Sequence, residues 1–207
     1  MDQGTDEWRA IRCGKITASR IADLTAKTKT GPSASRGNYI AELVAERLTG
    51  IPVEHYTNAA MQWGTDNESA ARDAYSFYRD ADVQEVGFVH HPELEMTGAS
   101  PDGLVGDDGL VEIKCPNTAT HIETLLSGNA VPGKYAKQMQ WQMACTGRVW
   151  CDFVSFDPRM PEAMRLHVVR VYRDDKTIAE LTGEVATALA DIAKMVADLR
   201  TKFEAAA

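Results

Sequence analysis

The chain is short of positive charge, short of cysteine and without any long apolar run. Of its 207 residues, 22 are Lys or Arg against 30 Asp or Glu, a formal net charge of −8. A protein that coats nucleic acid would be basic overall, so that class is excluded and any grip on phosphates must be local. An enzyme that gathers carboxylates around metal ions stays open, because bound cations supply part of the positive charge. No segment approaches the ~20 apolar residues needed to span a bilayer, so no membrane partner is expected. Met1 to Glu7 is acidic and polar, unlike a secretory signal, and cytoplasmic residence is the expectation. The four cysteines, Cys13, Cys115, Cys145 and Cys151, form no Cys-x-x-Cys pair. An iron–sulfur cluster on one early and three late cysteines would need a tight late spacing that is missing. Buried free thiols are the reading. His90-His91 before Pro92 reads as a strand end rather than a metal site.

What is present centres on Ser100-Pro101-Asp102-Gly103 and Glu112-Ile113-Lys114. Gly106-Asp107-Asp108-Gly109 between them is a strong turn signal joining two strand-like runs. Folding about the middle of that turn sets Asp102 across from Glu112 or Ile113, and a one-residue bulge would settle it opposite Glu112. Side chains alternate along a strand, so Glu112 and Lys114 share a face while Ile113 turns to the core. Two carboxylates and an ammonium would converge. Hard oxygen ligands suit Mg²⁺ or Mn²⁺ better than zinc. Such ions polarise a phosphodiester and acidify bound water. Lys114 could orient or deprotonate that water, or neutralise developing charge. The competing reading is an exposed hairpin with an acidic turn and a Glu/Lys surface pair.

The rest of the chain reads as one mixed α/β domain over residues 1–207, a central sheet flanked by helices, without repeats or linker. Lys27 to Gly37 reads as a solvated surface loop, and Asn38 to Leu48 as a helix stopped by Gly50. Thr65-Asp66-Asn67-Glu68 has a capping-box pattern, which predicts a helix from there to about Tyr78. Strands are predicted at Val83 to His90, Glu95 to Val105, Leu110 to Cys115, Val149 to Phe156 and Leu166 to Tyr172. Helices are predicted at Thr120 to Leu126, at Pro132 to Cys145 and along the Ile178–Phe203 stripe.

Three supporting positions each have two readings. Glu68 is either a further metal ligand or the third residue of its helix cap, and the spacing favours the cap. Gln138, with Tyr135, Met139 and Gln142, occupies one helical face; two glutamines there need partners, which a phosphate, a metal-bound water or plain solvent would provide. Arg12 and Ser19 flank a helix start, either a phosphate pocket or a plain cap with a surface arginine.

Together these pieces resemble the phage lambda exonuclease and YqaJ-type viral recombinase family, within the PD-(D/E)xK nuclease superfamily. The likeness runs through Trp8…Arg12…Ile16-Thr17-Ala18-Ser19, Gly64-x3-Glu68, Ser100-Pro101-Asp102-Gly103-Leu104, Glu112-Ile113-Lys114-Cys115-Pro116, Tyr135-x2-Gln138-x-Gln140 and Phe156-Asp157-Pro158-Arg159-Met160. The resemblance implies a restriction-endonuclease-like core in which Asp102, Glu112, Glu68 and the Ile113 carbonyl bind metal. It implies that Lys114 and Gln138 serve the attacking water and the scissile phosphate. It places Arg12 and Ser19 on a pocket for the DNA 5′-phosphate. It further implies two Mg²⁺ ions, for which Mn²⁺ can substitute, and a homotrimeric ring that threads linear duplex DNA. Such a ring would digest one strand processively 5′→3′, leave 3′ tails for recombination by strand annealing, and work beside a single-strand annealing protein. An enclosing ring would hold DNA where the bulk charge does not. The Lys27–Gly37 loop lies outside the likeness, and DNA contacts by Lys27, Lys29 and Arg36 are the weaker reading of it. The rival readings are an endonuclease or repair nuclease of the same fold, and a non-catalytic DNA-end-binding protein.

Overall fold

The structure is a computed structural model, and it describes residues 3–29, 31–54 and 58–203. The chain runs α1 (Asp6–Arg12), β1 (Ile16–Thr17), a tight helical turn at Ala18–Arg20, α2 (Ile21–Leu24), β2 (Lys27–Thr28), β3 (Gly31–Pro32) and α3 (Ala34–Thr49). Next come α4 (Ala59–Arg79), β4 (Val83–Gln84), β5 (Val89–His90), β6 (Thr97–Ala99), β7 (Gly103–Val105) and β8 (Gly109–Lys114). The chain continues with α5 (Thr118–Leu126), α6 (Gly133–Thr146), β9 (Trp150–Phe156), β10 (Leu166–Tyr172) and α7 (Asp175–Phe203).

The central sheet has the order β10-β9-β8-β7-β4, with β8 and β9 parallel and every other pairing antiparallel. Alternation along β8 and β9 gives each face its own core. Leu110, Cys151 and Phe153 pack with Met139 and Met143 of α6. Val111, Ile113, Val154 and Phe156 pack with Ala71 and Tyr75 of α4. A third cluster joins β1, α2, α3, α6 and α7 through Ile16, Ile21, Leu43, Trp141, Leu181 and Val185. The predicted mixed sheet flanked by helices is therefore the fold. Among the described residues no helix is long and apolar enough to cross a membrane.

Helix starts account for two departures from expectation. The Ser33 side chain accepts from the Arg36 N–H, so α3 begins at Ala34, inside the predicted loop. The front of that loop is a short β2–β3 hairpin rather than solvated coil. Arg36 does not reach out for DNA: it donates to the Leu24 carbonyl and pairs with Glu184 at 3.3 Å, and Lys27 meets the same carboxylate at 2.5 Å. Second, the cap of α4 is Asn58, whose Oδ1 accepts from the Met61 N–H. Thr65-Asp66-Asn67-Glu68 therefore lies in mid-helix, and the capping-box account of Glu68 fails. Local capping chemistry at Thr65 loses to a helix that had already started, with Thr65 Oγ1 turned back to the Met61 carbonyl.

The predicted strands are correct where a partner strand is long and fragmentary where it is not. Leu166–Tyr172 matches β10 end to end, and Val149–Phe156 loses one residue. Val83–His90 breaks into β4 and β5, which join different sheets, and Glu95–Val105 breaks into β6 and β7 for the same reason. The parallel β1–β6 pair and antiparallel β5–β6 pair make a separate three-stranded sheet. The hairpin register also differs from the expectation. Val105 pairs with Gly109 and Gly103 with Val111, so the turn has three residues centred on Asp107. Extending that register sets Asp102 opposite Glu112 with no bulge. Gly106 takes a positive φ of 52° in the turn, and a Cβ on Gly109 would lie 2.0 Å from the Trp150 ring. Arg148 then ties the turn down, donating to the Gly106 and Gly109 carbonyls at 2.6 and 2.9 Å.

Candidate active site

At the end of β8 the side chains of Glu112 and Lys114 point to the α6 face, and Ile113 points into the α4-side core, as alternation requires. Glu112 is completely buried. Its Oε1 accepts from Gln138 Nε2 at 2.6 Å and from the Lys114 ammonium, and its Oε2 accepts from Gln142 Nε2 at 2.5 Å. Asp102 reaches across from the strand start, and its Oδ2 accepts the Ile113 backbone N–H at 2.6 Å. The hairpin is thus pinned from both sides by the side chains of Asp102 and Glu112. It is not an exposed Glu/Lys surface pair.

Electrostatics show a surplus of negative charge. Burial first, then the neighbouring charge of Glu112 and that of Glu68, push the Asp102 carboxyl well above the ordinary aspartate range. Glu68, from α4, is raised chiefly by burial and also by Glu112, while Arg72 at 2.8 Å and Lys114 pull the other way. Burial opposes the charge on Lys114, but Glu112 and Asp102 outweigh it and hold the ammonium above the usual lysine range. Lys114 therefore stands as a cation. Tyr135, stacked on Phe153 at 5.5 Å between ring centres, presents its ring 5.4 Å from the Lys114 nitrogen.

The structure gathers Asp102, Glu112, Ile113, Lys114, Gln138 and Glu68 into one neighbourhood. Glu68 belongs to it through electrostatic coupling to the other two carboxylates, its direct partner being Arg72. Three carboxylates with too few cations suit a divalent metal, which would relieve the repulsion that raises Asp102. Yet among the described residues no three acidic, His or Cys side chains close into a ready-made cage. Both Glu112 oxygens are engaged, by Lys114, Gln138 and Gln142.

Arg12 and Ser19 lie elsewhere, around Tyr39. Burial pulls Arg12 down to about 10, against the raising influence of Tyr39 and Glu46, and its guanidinium sits 3.7 Å over the Trp8 ring. The Tyr39 hydroxyl accepts from the Thr17 N–H at 3.1 Å, and Thr17 Oγ1 meets the exposed Ser19 Oγ at 3.3 Å. Ser19 sits inside the tight turn Ala18–Arg20, with α2 starting only at Ile21.

Sequence reasoning missed the struts that join these regions. Trp8 Nε1 donates to Ser100 Oγ at 2.9 Å, and Gln3 Nε2 donates to the Pro101 carbonyl at 2.8 Å, so α1 is tied to the residues just before Asp102. No local pattern announces contacts across such a sequence separation. Gln142 was visible only as a second glutamine on the Gln138 face. Of the thiols, Cys115, Cys145 and Cys151 are buried and free as expected, while Cys13 is half-buried. His91 stacks on Trp141, its ring centre at 4.9 Å, and its Nδ1 accepts two backbone N–H groups; it is a loop anchor.

Solved structures share this fold. An alkaline exonuclease from Laribacter hongkongensis is 51% identical, with a TM-score of 0.92 over 98% of this chain and 100% of that one. The same exonuclease solved in complex with dAMP matches equally well. A phage-related exonuclease from Haemophilus somnus 129PT, 16% identical, shares the fold with a TM-score of 0.71 over 89% of this chain and 96% of that one. No curated protein matches. The YqaJ-like viral recombinase domain spans residues 7–149, from α1 through the hairpin and α6, and the chain belongs to that family.

Proposed function

We propose that the protein is a divalent-metal-dependent exonuclease that digests linear duplex DNA from its 5′ ends. The observation that carries the reading is the Asp102–Glu112–Glu68 group with its single shared lysine, at the end of β8. The 51% identity to an alkaline exonuclease supports the reaction class. That relative's complex with dAMP fits a site that releases deoxynucleoside monophosphates.

Asp102, Glu112, Glu68 and the Ile113 carbonyl would hold the ions, two Mg²⁺ with Mn²⁺ able to substitute. When bound, the metal supplies polarisation of the phosphodiester and acidification of the attacking water. Lys114, charged in this environment, neutralises the oxyanion that develops on the phosphate instead of acting as a base. Gln138, whose amide donates to Glu112 Oε1 at 2.6 Å, would orient the attacking water beside that carboxylate. Arg12 and Ser19 hold the terminal 5′-phosphate, and the Trp8–Ser100 bond keeps that pocket in register with Asp102. A homotrimeric ring enclosing duplex DNA would reconcile the acidic chain with processive work, leaving 3′ tails for an annealing protein.

The test is digestion of defined DNA. Linear duplex should release mononucleotides with Mg²⁺ and none with EDTA, while closed circular duplex stays intact. Cutting of the circle would mark an endonuclease and sink the proposal. DNA binding without metal-dependent release would mark an end-binding protein. Ends bearing a 5′-phosphate should be degraded faster than 5′-hydroxyl ends, with Arg12→Ala erasing the difference. Equal rates in the parent would remove Arg12 and Ser19 from the pocket.

A further inference from the structure

Glu112 raises a problem of its own. A carboxylate with no exposed surface, meant to meet a cation, must be held at one rotation without being neutralised beforehand. Lys114 supplies charge at Oε1, but a lysine is flexible and fixes a point, not a plane. Two glutamines one turn apart on α6 supply the plane. Gln138 donates to Oε1 at 2.6 Å and Gln142 to Oε2 at 2.5 Å, so the pair straddles the carboxylate. Neutral amides do this without cancelling the charge a metal needs.

The two glutamines are not equivalent. Gln138 shares Oε1 with Lys114, whereas Gln142 is wholly buried and takes Oε2 alone. Gln142's amide is itself oriented from behind. Its Oε1 accepts from the Cys151 thiol at 3.9 Å, a long sulfur contact, and burial keeps that thiol protonated and therefore a donor. The order Cys151 to Gln142 to Glu112 leaves the Gln142 carbonyl facing the thiol and its NH₂ group facing the carboxylate.

We propose that Gln142 is a positioning residue that locks the rotation of Glu112 and so presents Oε1 to a divalent cation, with Cys151 locking Gln142 in turn. This rests on the reading of Glu112 as a metal ligand. Outer partners that orient a ligand commonly control roughly 10–100-fold in metal affinity or activity. Gln140, on the same helix and also buried, provides the contrast. Its amide donates to the Tyr172 carbonyl and accepts the Asp174 N–H, joining α6 to the start of α7 away from the site.

The experiment is calorimetric titration of Mn²⁺, and of Mg²⁺, into the protein without DNA. Gln142→Leu should bind Mn²⁺ roughly 10-fold more weakly or worse, with kcat reduced and KM for DNA ends unchanged. Cys151→Ser, which keeps a donor, should bind as the parent does, and Cys151→Ala should fall between. Gln140→Ala should lower Tm and leave metal affinity alone. Unchanged affinity in a folded Gln142→Leu protein overturns the inference, and so does an equal loss in Gln140→Ala, which would mean general loosening of α6. A parent protein that binds no divalent cation overturns the metal reading itself, and the inference with it. If Gln142→Leu does not fold, Gln142→Met, a flexible side chain of similar length, takes its place with the same expectations.

Discussion

Neighbouring parallel strands each bury a carboxylate with no exposed surface, Glu112 on β8 and Asp152 on β9, and they are solvated by the protein in opposite ways. Asp152 faces α4 and is fully matched: Arg170 grips it with two bonds of 2.8 and 2.9 Å, Arg79 stands at 3.2 Å, and the Tyr75 hydroxyl donates at 2.9 Å. Glu112 faces α6 and shares one lysine with Asp102 and Glu68. Two cations around one carboxylate make a strut. Lys114 and Arg72 stand among three carboxylates, Asp102, Glu112 and Glu68, which leaves one negative charge uncompensated. Charge matching, more than burial, separates the Asp152 strut from the candidate site around Glu112.

The sharpest way to test that contrast is to neutralise each side. Asp102→Asn or Glu112→Gln should lower nuclease activity by about 10²–10³-fold, measured as nucleotide release from linear duplex. Asp102→Asn should also stabilise the metal-free protein. The folded carboxyl holds its proton to higher pH than the unfolded one, so stability is present at low pH and is lost as pH rises through the raised folded value. Asparagine removes that loss. Thermal denaturation in EDTA from acidic to alkaline pH should show a Tm above the parent's, widening with pH. An Asp102→Asn protein less stable than the parent at alkaline pH would mean that the site carries no charge surplus.

Asp152→Asn should do the reverse. Leaving Arg79 and Arg170 without their buried partner should cost about 3 kcal/mol in denaturant unfolding, while the folded fraction cleaves DNA normally. Glu68→Gln comes next in size. A helix cap tolerates Gln, but α4 is capped by Asn58, so most activity should disappear with Tm little changed. Retained activity would detach Glu68 from the site. The smallest effect belongs to Asp157, which is matched like Asp152. Hydrogen bonds from Arg159 draw its carboxyl down to about 2, assisted by Thr118. Its stabilisation is therefore present above the unfolded carboxylate range and lost as pH falls through about 2. Asp157→Asn should flatten the acid limb of a stability–pH curve and leave cleavage alone.

Much of the site was legible because its parts are close in sequence. Asp102, the turn and Glu112-Ile113-Lys114 lie within one hairpin, where period-two alternation fixes the faces without further information. Long elements bounded by proper caps were legible too, such as α6 between Pro132 and Gly147. Glu68 shows the limit. Four residues in capping order are as good a local signal as exists, and the helix begins at Ala59 all the same. The hairpin shows a milder version, its turn signal correct and its register displaced, with Val105 paired to Gly109 where that glycine lies under Trp150. Arg36 looked free in a polar loop and is instead bound to Glu184 on the last helix.

By itself the sequence determined the hairpin, the alternation that puts Glu112 and Lys114 on one face, the acidic balance and the free thiols, since each depends on spacing or composition alone. Only the tertiary structure decided which carboxylates are compensated. Arg79 and Arg170 reach Asp152, and the glutamines of α6 reach Glu112, across separations no local pattern encodes. Electrostatic energy depends on distance in space and on burial, and both exist only once the helices have docked on the sheet.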